Sequence, residues 1–536
     1  MSPTLTPHLA AVLHGPADIR LETRTLFKPQ RGAARLRILA TGLCGSDLHY
    51  FADARNGDFA IRAPLVLGHE AVGEVEAVGA GAVDAYGRQM EVGTRVAIEP
   101  GVPCCVAVGM TAQPTTHTTS SSSSSSPSTS TSTKNGCTHC DSGRYNLCKD
   151  LRFASSAKTF PHLDGTLQEK MVHPAALLWP LPDSVSPALG ALAEPLSVVL
   201  HASRRAQLLL HPRSLAALSS SSSSSPSPNS PSTHSSSSSS PPITVNGLTN
   251  APFPEESVRQ QDILILGAGT IGLAAAALAQ CYGARKVVCV DINRRRLEFA
   301  KAEGFVDDYY VLTRDTPTAS STQTASPSGG STASTLALER GKDRAAAALK
   351  HFEQPDGFDI VYECTGAEAC IQMAVYAAMT GGKIILVGMG TRNITLPLSA
   401  AALREVDILG SFRYANTYAE VLRLLGVFAE HPRNGTLKSS TSATATSPAT
   451  TSATSTSTSQ NTAQATLIGE EGVEGMQDCV EGEGAVRWTA APRTTLPDLT
   501  RLITHTFPLA DTQKAFEMMR AGVDAAGGMV MKVVIQ

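Results

Sequence analysis

The chain has 536 residues, 42% of them hydrophobic, with 44 basic against 47 acidic side chains and a formal net charge of -3. That length leaves room for two or more domains, and the near balance of charge with a pI near 6.5 excludes the basic surplus that nucleic acid or an anionic membrane surface would demand. No apolar run approaches the ~20 residues of a membrane span, and Met1–Ala10 lacks the regions of a secretory signal, so the expectation is a cytoplasmic protein with a small soluble ligand and neither a nucleic-acid nor a membrane partner.

From the N-terminus, Gly42–Tyr50 reads G-L-C-G-S-D-L-H-Y, and Gly68, His69 and Glu70 follow shortly after. A Cys44 thiolate, a His69 imidazole and a Glu70 carboxylate form a mixed sulfur, nitrogen and oxygen set that suits tetrahedral zinc with one open position, as catalysis needs. A lone Cys or His is more often packing; the adjacent His-Glu pair and the glycine-framed Cys weigh toward a metal. Short β-branched runs at Ala71–Val78 and Arg95–Ile98 predict strands. Next come Cys137, Cys140 and Cys148, with Cys104 or Cys105 upstream. Four thiolates with no open position describe a structural zinc site. Of the eleven cysteines, Cys281, Cys289, Cys364, Cys370 and Cys479 lack such spacing and are expected to be buried or incidental.

Four stretches are mostly Ser, Thr, Pro and Ala: Thr111–Thr133, Ser219–Pro242, Thr313–Thr335 and Ser439–Thr466. Such composition cannot bury enough apolar surface to offset its ordering entropy, so disordered insertions are expected over about 109–134, 214–258, 313–340 and 436–490. Loop-closure entropy grows only logarithmically with length, which lets a compact domain carry them. The first separates Cys104 and Cys105 from the other three cysteines of the structural site.

The segment after Gln261 gives the plainest β-α-β pattern: Ile263–Leu266 as a buried strand, Ile271–Tyr282 as a helix, and Lys286–Val290 as the next strand. A helix over Ala367–Met379 and a strand over Lys383–Val387 follow. This is the pattern of a doubly wound parallel sheet. Gly267, Gly269 and Gly272 form G-x-G-x-x-G directly after the first strand. Glycines there allow a tight turn and close approach to a pyrophosphate, with the helix N-terminus facing the phosphate. Asp291 ends the second strand, where a carboxylate bonds both ribose hydroxyls and repels a 2′-phosphate. NAD is favoured over NADP, although Arg294, Arg295 and Arg296 follow closely.

Together the segments CGSDLHY (Cys44–Tyr50), PLVLGHEAVGEV (Pro64–Val75), GRYNLC (Gly143–Cys148), LAEPLSV (Leu192–Val198), ECTGAEACIQ (Glu363–Gln372) and REVDILGSFRYANTY (Arg404–Tyr418) resemble the zinc-containing medium-chain dehydrogenases, most closely those of the sorbitol and xylitol type. The resemblance covers nearly everything outside the four insertions. It implies an α/β protein with a mainly-β GroES-like catalytic domain over 1–196, a Rossmann NAD-binding domain over 197–412, and a return to the catalytic domain over 413–536. It implies a catalytic zinc on Cys44, His69 and Glu70, with Glu194 either a further ligand or the holder of the zinc-bound water. By the same resemblance, Tyr50, Glu194, Arg413 and Tyr414 line a polyol pocket, and Ser46 accepts the substrate proton and relays it through the cofactor ribose to His49. Ile271, Asp291, Arg296, Val387, Gly388 and Met389 match positions that contact the dinucleotide. A homo-oligomer, dimer or tetramer, is also implied.

The expected activity is therefore hydride transfer from sorbitol or xylitol to NAD, giving fructose or D-xylulose, with one catalytic and one structural zinc. Alternatives are an L-arabinitol or other secondary-alcohol dehydrogenase, or an inert NAD-binding scaffold. Joint retention of Cys44, His69, Glu70 and Glu194 argues against the scaffold, since a binding protein needs no open metal site.

Overall fold

A computed structural model describes residues 5–107, 136–208, 260–313, 333–390, 393–430 and 496–536. Most of the residues expected to form insertions, and Cys479, lie outside the described residues. Among the described residues, no helix is long and apolar enough to cross a membrane.

The N-terminal portion is antiparallel. Thr6–Gly15 and Asp18–Leu26 form a hairpin, extended by Leu65–Val66. A larger sheet runs in the order Leu178–Pro180, Arg95–Ile98, Glu70–Val78, Ala33–Gly42, Lys532–Ile535 and Ile503–Phe507, with Lys170–Pro174 also paired to Ala33–Gly42. Two of these strands come from the far end of the chain. The central strand Ala33–Gly42 has Glu70 opposite Gly42 on one side and Val534 opposite Gly42 on the other. A Cβ on Gly42 would lie 2.4 Å from a Glu70 carboxylate oxygen, so only glycine leaves that carboxylate its place beside the strand.

The second sheet is parallel, in the order Asp308–Val311, Lys286–Asp291, Asp262–Leu266, Phe358–Glu363, Ala378–Leu386 and Asp407–Gly410. Its strands read as continuous apolar runs because both faces are covered. Alternation shows which face each residue serves. Ile263, Ile265, Val287 and Cys289 join the cluster containing the helices Ala193–Arg205 and Thr270–Cys281. Leu264, Leu266, Val288 and Val290 join the cluster on the opposite face. The first cluster also takes in Val72 and Ala97 of the antiparallel sheet and Tyr418, Leu422 and Leu425 of the helix Tyr418–Glu430, so one apolar core is continuous across both sheets.

The expected strand and helix positions agree with the structure to within a residue or two: Asp262–Leu266, Thr270–Cys281 and Lys286–Asp291 form the β-α-β unit. The helix expected over Ala367–Met379 is Glu368–Ala377, because the backbone turns extended at Ala378 and opens the strand Ala378–Leu386. One expectation is overturned. The third insertion is expected over about 313–340, yet a helix spans Ala333–Phe352. Its buried residues Gly341, Ala345, Ala348 and Phe352 recur at helical spacing and seal the second face of the parallel sheet. That stripe outweighs the Ser and Thr content of the helix's first turn.

His173, on the strand Lys170–Pro174, is buried and its Nε2 donates to the Glu99 carbonyl at 2.9 Å. Burial pushes its pKa down from 6.5 to about 4. Between those values the unfolded chain takes up the proton more readily than the folded one, so this contribution is intact above the unfolded value and lost as pH falls. Stability to urea should drop by about 2 kcal/mol between pH 7 and pH 5 from this group alone. His173→Gln should flatten that part of the pH dependence; an unchanged slope would show that the imidazole is not buried neutral.

Candidate active site and metal centres

Cys44 is the N-cap of the helix Gly45–Asp53, and its side chain projects where the strand Ala33–Gly42 ends. His69 and Glu70 lie at the start of the strand Glu70–Val78. The Cys44 sulfur, a His69 ring nitrogen and a Glu70 carboxylate oxygen all lie within 4.8 Å of one another. Such a separation lets one small ion reach all three, and the soft, borderline and hard donors together fit zinc.

Charges behind these donors set their orientation. Asp47, fully buried, pairs with His69 Nδ1 at 3.2 Å, accepts from the Gly68 N–H at 3.4 Å, and is hydrogen-bonded by Ser155. His69 Nε2 is thereby left to face the metal position, an arrangement in which a carboxylate fixes the ring of a ligating histidine. Burial opposes charge on that imidazole, but the Asp47 carboxylate and the Cys44 sulfur outweigh it and hold His69 well above its ordinary range. Glu70 is held by Lys532, whose Nζ lies 2.9 and 2.6 Å from the two carboxylate oxygens and also donates to the Leu43 carbonyl at 3.0 Å. Burial disfavours the ammonium, yet Glu70 keeps Lys532 above its usual value.

Glu194 reaches the same place from the first turn of the helix Ala193–Arg205 and is 6% exposed. Burial pushes its carboxyl up to about 7, with His69 opposing the rise and Glu70 reinforcing it. A divalent cation beside it would reverse that trend and favour the carboxylate. Ser46 Oγ lies 3.3 Å from the Cys44 sulfur and 3.5 Å from His69 Nε2. His49 stands one turn further along the helix and is exposed.

Beside His69 the surroundings are aromatic and cationic. The Phe153 ring lies 5.5 Å from that of His69, and the Arg413 guanidinium carbon sits 3.7 Å from the Phe153 ring centre. Arg413 also reaches Ser156 Oγ at 3.4 Å, while its Nη1 is buried without a partner. Burial lowers its pKa to about 10. Tyr414 is buried beside it, and its hydroxyl too has no partner. Tyr50 is buried, its hydroxyl accepting from the Ala157 N–H at 3.0 Å. Asp47, Ser155, Phe153 and Lys532 escaped the sequence reading. Asp47 lies inside the CGSDLHY segment, so its proximity to Cys44 was the available signal; the other three give no local one.

At the parallel sheet, Gly267, Gly269 and Gly272 form the turn from Asp262–Leu266 into Thr270–Cys281. A Cβ on Gly272 would lie 1.9 Å from the Gly267 carbonyl oxygen, so glycine alone allows the helix this close. The turn lies where neighbouring strands run to opposite sides, the place at which such sheets take dinucleotides. Asp291, at the end of its strand, accepts from the Ala268 N–H at 2.6 Å and the Asn293 N–H at 2.7 Å. Arg296 follows, with Nε buried and unpartnered. Val387 and Gly388 N–H both bond the Glu363 carbonyl at 2.9 Å, which aligns the Val387–Met389 turn with the same edge, and Ile271 is the second residue of the helix Thr270–Cys281. Met389 is 61% exposed.

The second metal cluster joins Cys104, Cys137, Cys140 and Cys148. Cys140 Sγ lies 3.7 Å from both Cys104 Sγ and Cys137 Sγ, close to the ~3.8 Å edge of a tetrahedron with zinc–sulfur bonds of about 2.3 Å. Cys105 is exposed and outside the cluster, which decides between the two upstream cysteines. Cys281 and Cys289 are buried, and Cys364 and Cys370 partly so.

Residues 30–183 match the family model described as an alcohol dehydrogenase GroES-like domain, and residues 270–426 match that of a zinc-binding dehydrogenase. Sorbitol dehydrogenase of Macaca fascicularis is 32% identical over 418 residues, covering 78% of this chain and 85% of the relative. An L-idonate 5-dehydrogenase of Vitis vinifera is 30% identical over 418 residues, covering 78% and 83%. Among solved structures, an L-idonate 5-dehydrogenase from Escherichia coli aligns with a TM-score of 0.59 at 18% identity, covering 100% of this chain and 99% of that one, a likeness of fold.

The two clusters should separate on mutation. Cys140→Ser should remove close to one zinc per chain and lower thermal stability, with kcat of the surviving folded protein little changed, whereas Cys44→Ser should remove a zinc and turnover together. Metal analysis beside a thermal melt reads both; full zinc content in Cys44→Ser would take that residue out of its role.

Proposed function

The chain belongs to the zinc-binding dehydrogenase family, and within it we propose that this NAD-dependent oxidoreductase converts a polyol, sorbitol or xylitol, to the corresponding ketose. The observation that carries the polyol reading is the pair of buried, unpartnered donors Arg413 Nη1 and the Tyr414 hydroxyl, the first on a guanidinium stacked against Phe153, whose ring also meets His69. A buried polar group without a partner is costly, and a substrate with several adjacent hydroxyls would satisfy both at once. A simple alcohol would satisfy neither.

Zinc, when bound on Cys44, His69 and Glu70, supplies Lewis acidity toward the substrate hydroxyl, and NAD supplies the hydride acceptor. The rest falls to the chain. Arg413 and Tyr414 would grip the hydroxyls remote from the reacting carbon and, with Tyr50, fix which carbon faces the cofactor. Ser46 Oγ, beside Cys44 and His69, would take the hydroxyl proton, and His49 at the exposed side of the same helix would pass it to solvent. Glu194, held between carboxylate and acid by its burial, would order the reacting hydroxyl or a water at the same position. Phe153 keeps bulk water from the His69 face. Asp291 favours NAD, since its carboxylate repels a 2′-phosphate. A homo-oligomer is part of the same proposal, by likeness to the family.

A substrate panel tests this: sorbitol, xylitol, L-arabinitol, ribitol, L-idonate and 2-butanol, each with NAD or NADP. At least one neutral polyol should yield NADH, chelation should abolish the activity, and NADP should support a poorer rate. Arg413→Ala should raise the polyol KM by roughly tenfold or more, as removal of a charged hydrogen bond to substrate does. Turnover of 2-butanol alone would point to the simple-alcohol reading, and turnover of nothing to the scaffold.

A further inference from the structure

The segment that carries Arg413 and Tyr414 leaves the parallel sheet after Asp407–Gly410 and reaches the helix Tyr418–Glu430 through a backbone that L-residues rarely adopt. Arg413 has φ 51° and Asn416 φ 57°. Each such residue is strained and persists only where its surroundings over-determine it. What holds this segment comes from the metal lobe far earlier in the chain, between Cys140 and Cys148.

Asn146, buried in the short 3-10 turn Tyr145–Leu147, donates through Nδ2 to the Phe412 carbonyl at 2.9 Å. The Tyr145 hydroxyl accepts from the Asn416 N–H at 2.9 Å and donates to the buried Glu99 carboxylate at 2.7 Å. The Gly143 carbonyl accepts from Asn416 Nδ2 at 2.7 Å. Three hydrogen bonds from four consecutive residues thus bracket Arg413 and Tyr414, one before and two after. The Cys137, Cys140 and Cys148 cluster closes the loop that bears all of them. On the far side, Arg204 donates to the Asn416 carbonyl at 2.7 Å.

We propose that Tyr145 and Asn146 of the four-cysteine lobe, with Asn416, are positioning residues for substrate: they hold the 412–416 segment in its left-handed conformation and thereby set the places of Arg413 and Tyr414 in the polyol pocket. This rests on the reading of Arg413 and Tyr414 as polyol-binding residues. The lobe would then contribute to substrate selection as well as to stability. The metal donors Cys44, His69 and Glu70 stand on other elements and are untouched by these bonds. Loosening the segment should consequently penalise substrates that use the remote hydroxyl contacts and spare those that use the reacting carbon alone.

The test compares Asn146→Ala and Asn416→Gly with the parent enzyme, full chain and zinc-loaded. Asn416→Gly keeps the left-handed backbone and its N–H and removes only the bond to Gly143, so it remains informative if Asn146→Ala folds poorly. Zinc per chain should stay at the parent value. Amide hydrogen exchange over 412–416 should quicken in both variants. The KM of the preferred polyol should rise roughly tenfold with kcat within about twofold, while kcat/KM for 2-butanol stays within about twofold. Unchanged exchange in both variants would overturn the proposal, and so would equal losses on polyol and 2-butanol, the mark of a general structural defect. A parent enzyme that oxidises no polyol would instead defeat the polyol reading, and the exchange data alone would then decide the anchoring.

Discussion

Acidic groups are buried together at one end of the antiparallel sheet, and their neutralisation governs how the rest of the chain must run. Asp47, Glu70 and Glu194 are each no more than 6% exposed, and the Cys44 sulfur adjoins them. Removing a carboxylate from water without a partner costs several kcal/mol. Asp47 is met by His69, Ser155 and the Gly68 N–H; Glu70 is met by Lys532. Cys44 and Glu194 remain for a cation to neutralise, and the donors Cys44, His69 and Glu70 are grouped as one ion requires. The same charge that makes the cluster unfavourable alone makes it a favourable place for a cation.

That constraint explains the topology. Lys532 is 462 residues from Glu70 in the chain, and it arrives only because the C-terminal strand Lys532–Ile535 returns to lie beside Ala33–Gly42. The parallel sheet is threaded between the two halves of the antiparallel one, and the core continuous across both sheets fixes the glycine turn at Gly267–Gly272 relative to the metal donors. The proposed metal and dinucleotide positions would therefore share one frame. A hydride acceptor and a polarised hydroxyl have to be held in such a frame, because their alignment to within an ångström or so controls the rate.

The sequence made most of this legible where chemistry is local. G-x-G-x-x-G followed by Asp291 sits on a β-α-β unit displaced by no more than about a residue from its expected bounds. Cys44, His69 and Glu70 converge as their residue types suggested. What escaped is non-local: Lys532, Ser155 and Phe153 carry no motif, and only the paired strands and the folded loop bring them in. The helix Ala333–Phe352 was hidden for a different reason. Its first residues share the Ser, Thr and Ala content of the stretch before it, and the signal of its buried stripe, from Gly341 to Phe352, begins a full two turns later. Cys104 and Cys105 are neighbours with equal claims on spacing grounds; only the direction of the side chains separates them.

The four-cysteine cluster tolerates 32 intervening residues between Cys104 and Cys137 because both ends of that span leave from the surface of one lobe, and closure entropy depends only weakly on loop length. One chain thus offers two metal centres of different character, and zinc-edge anomalous scattering from crystals of the purified protein tests this most directly. Two peaks per chain are predicted, one among the four cysteine sulfurs and one between Cys44, His69 and Glu70 within reach of Glu194. A crystal grown with zinc that shows no peak at the second position, with Glu70 still held by Lys532, would contradict it.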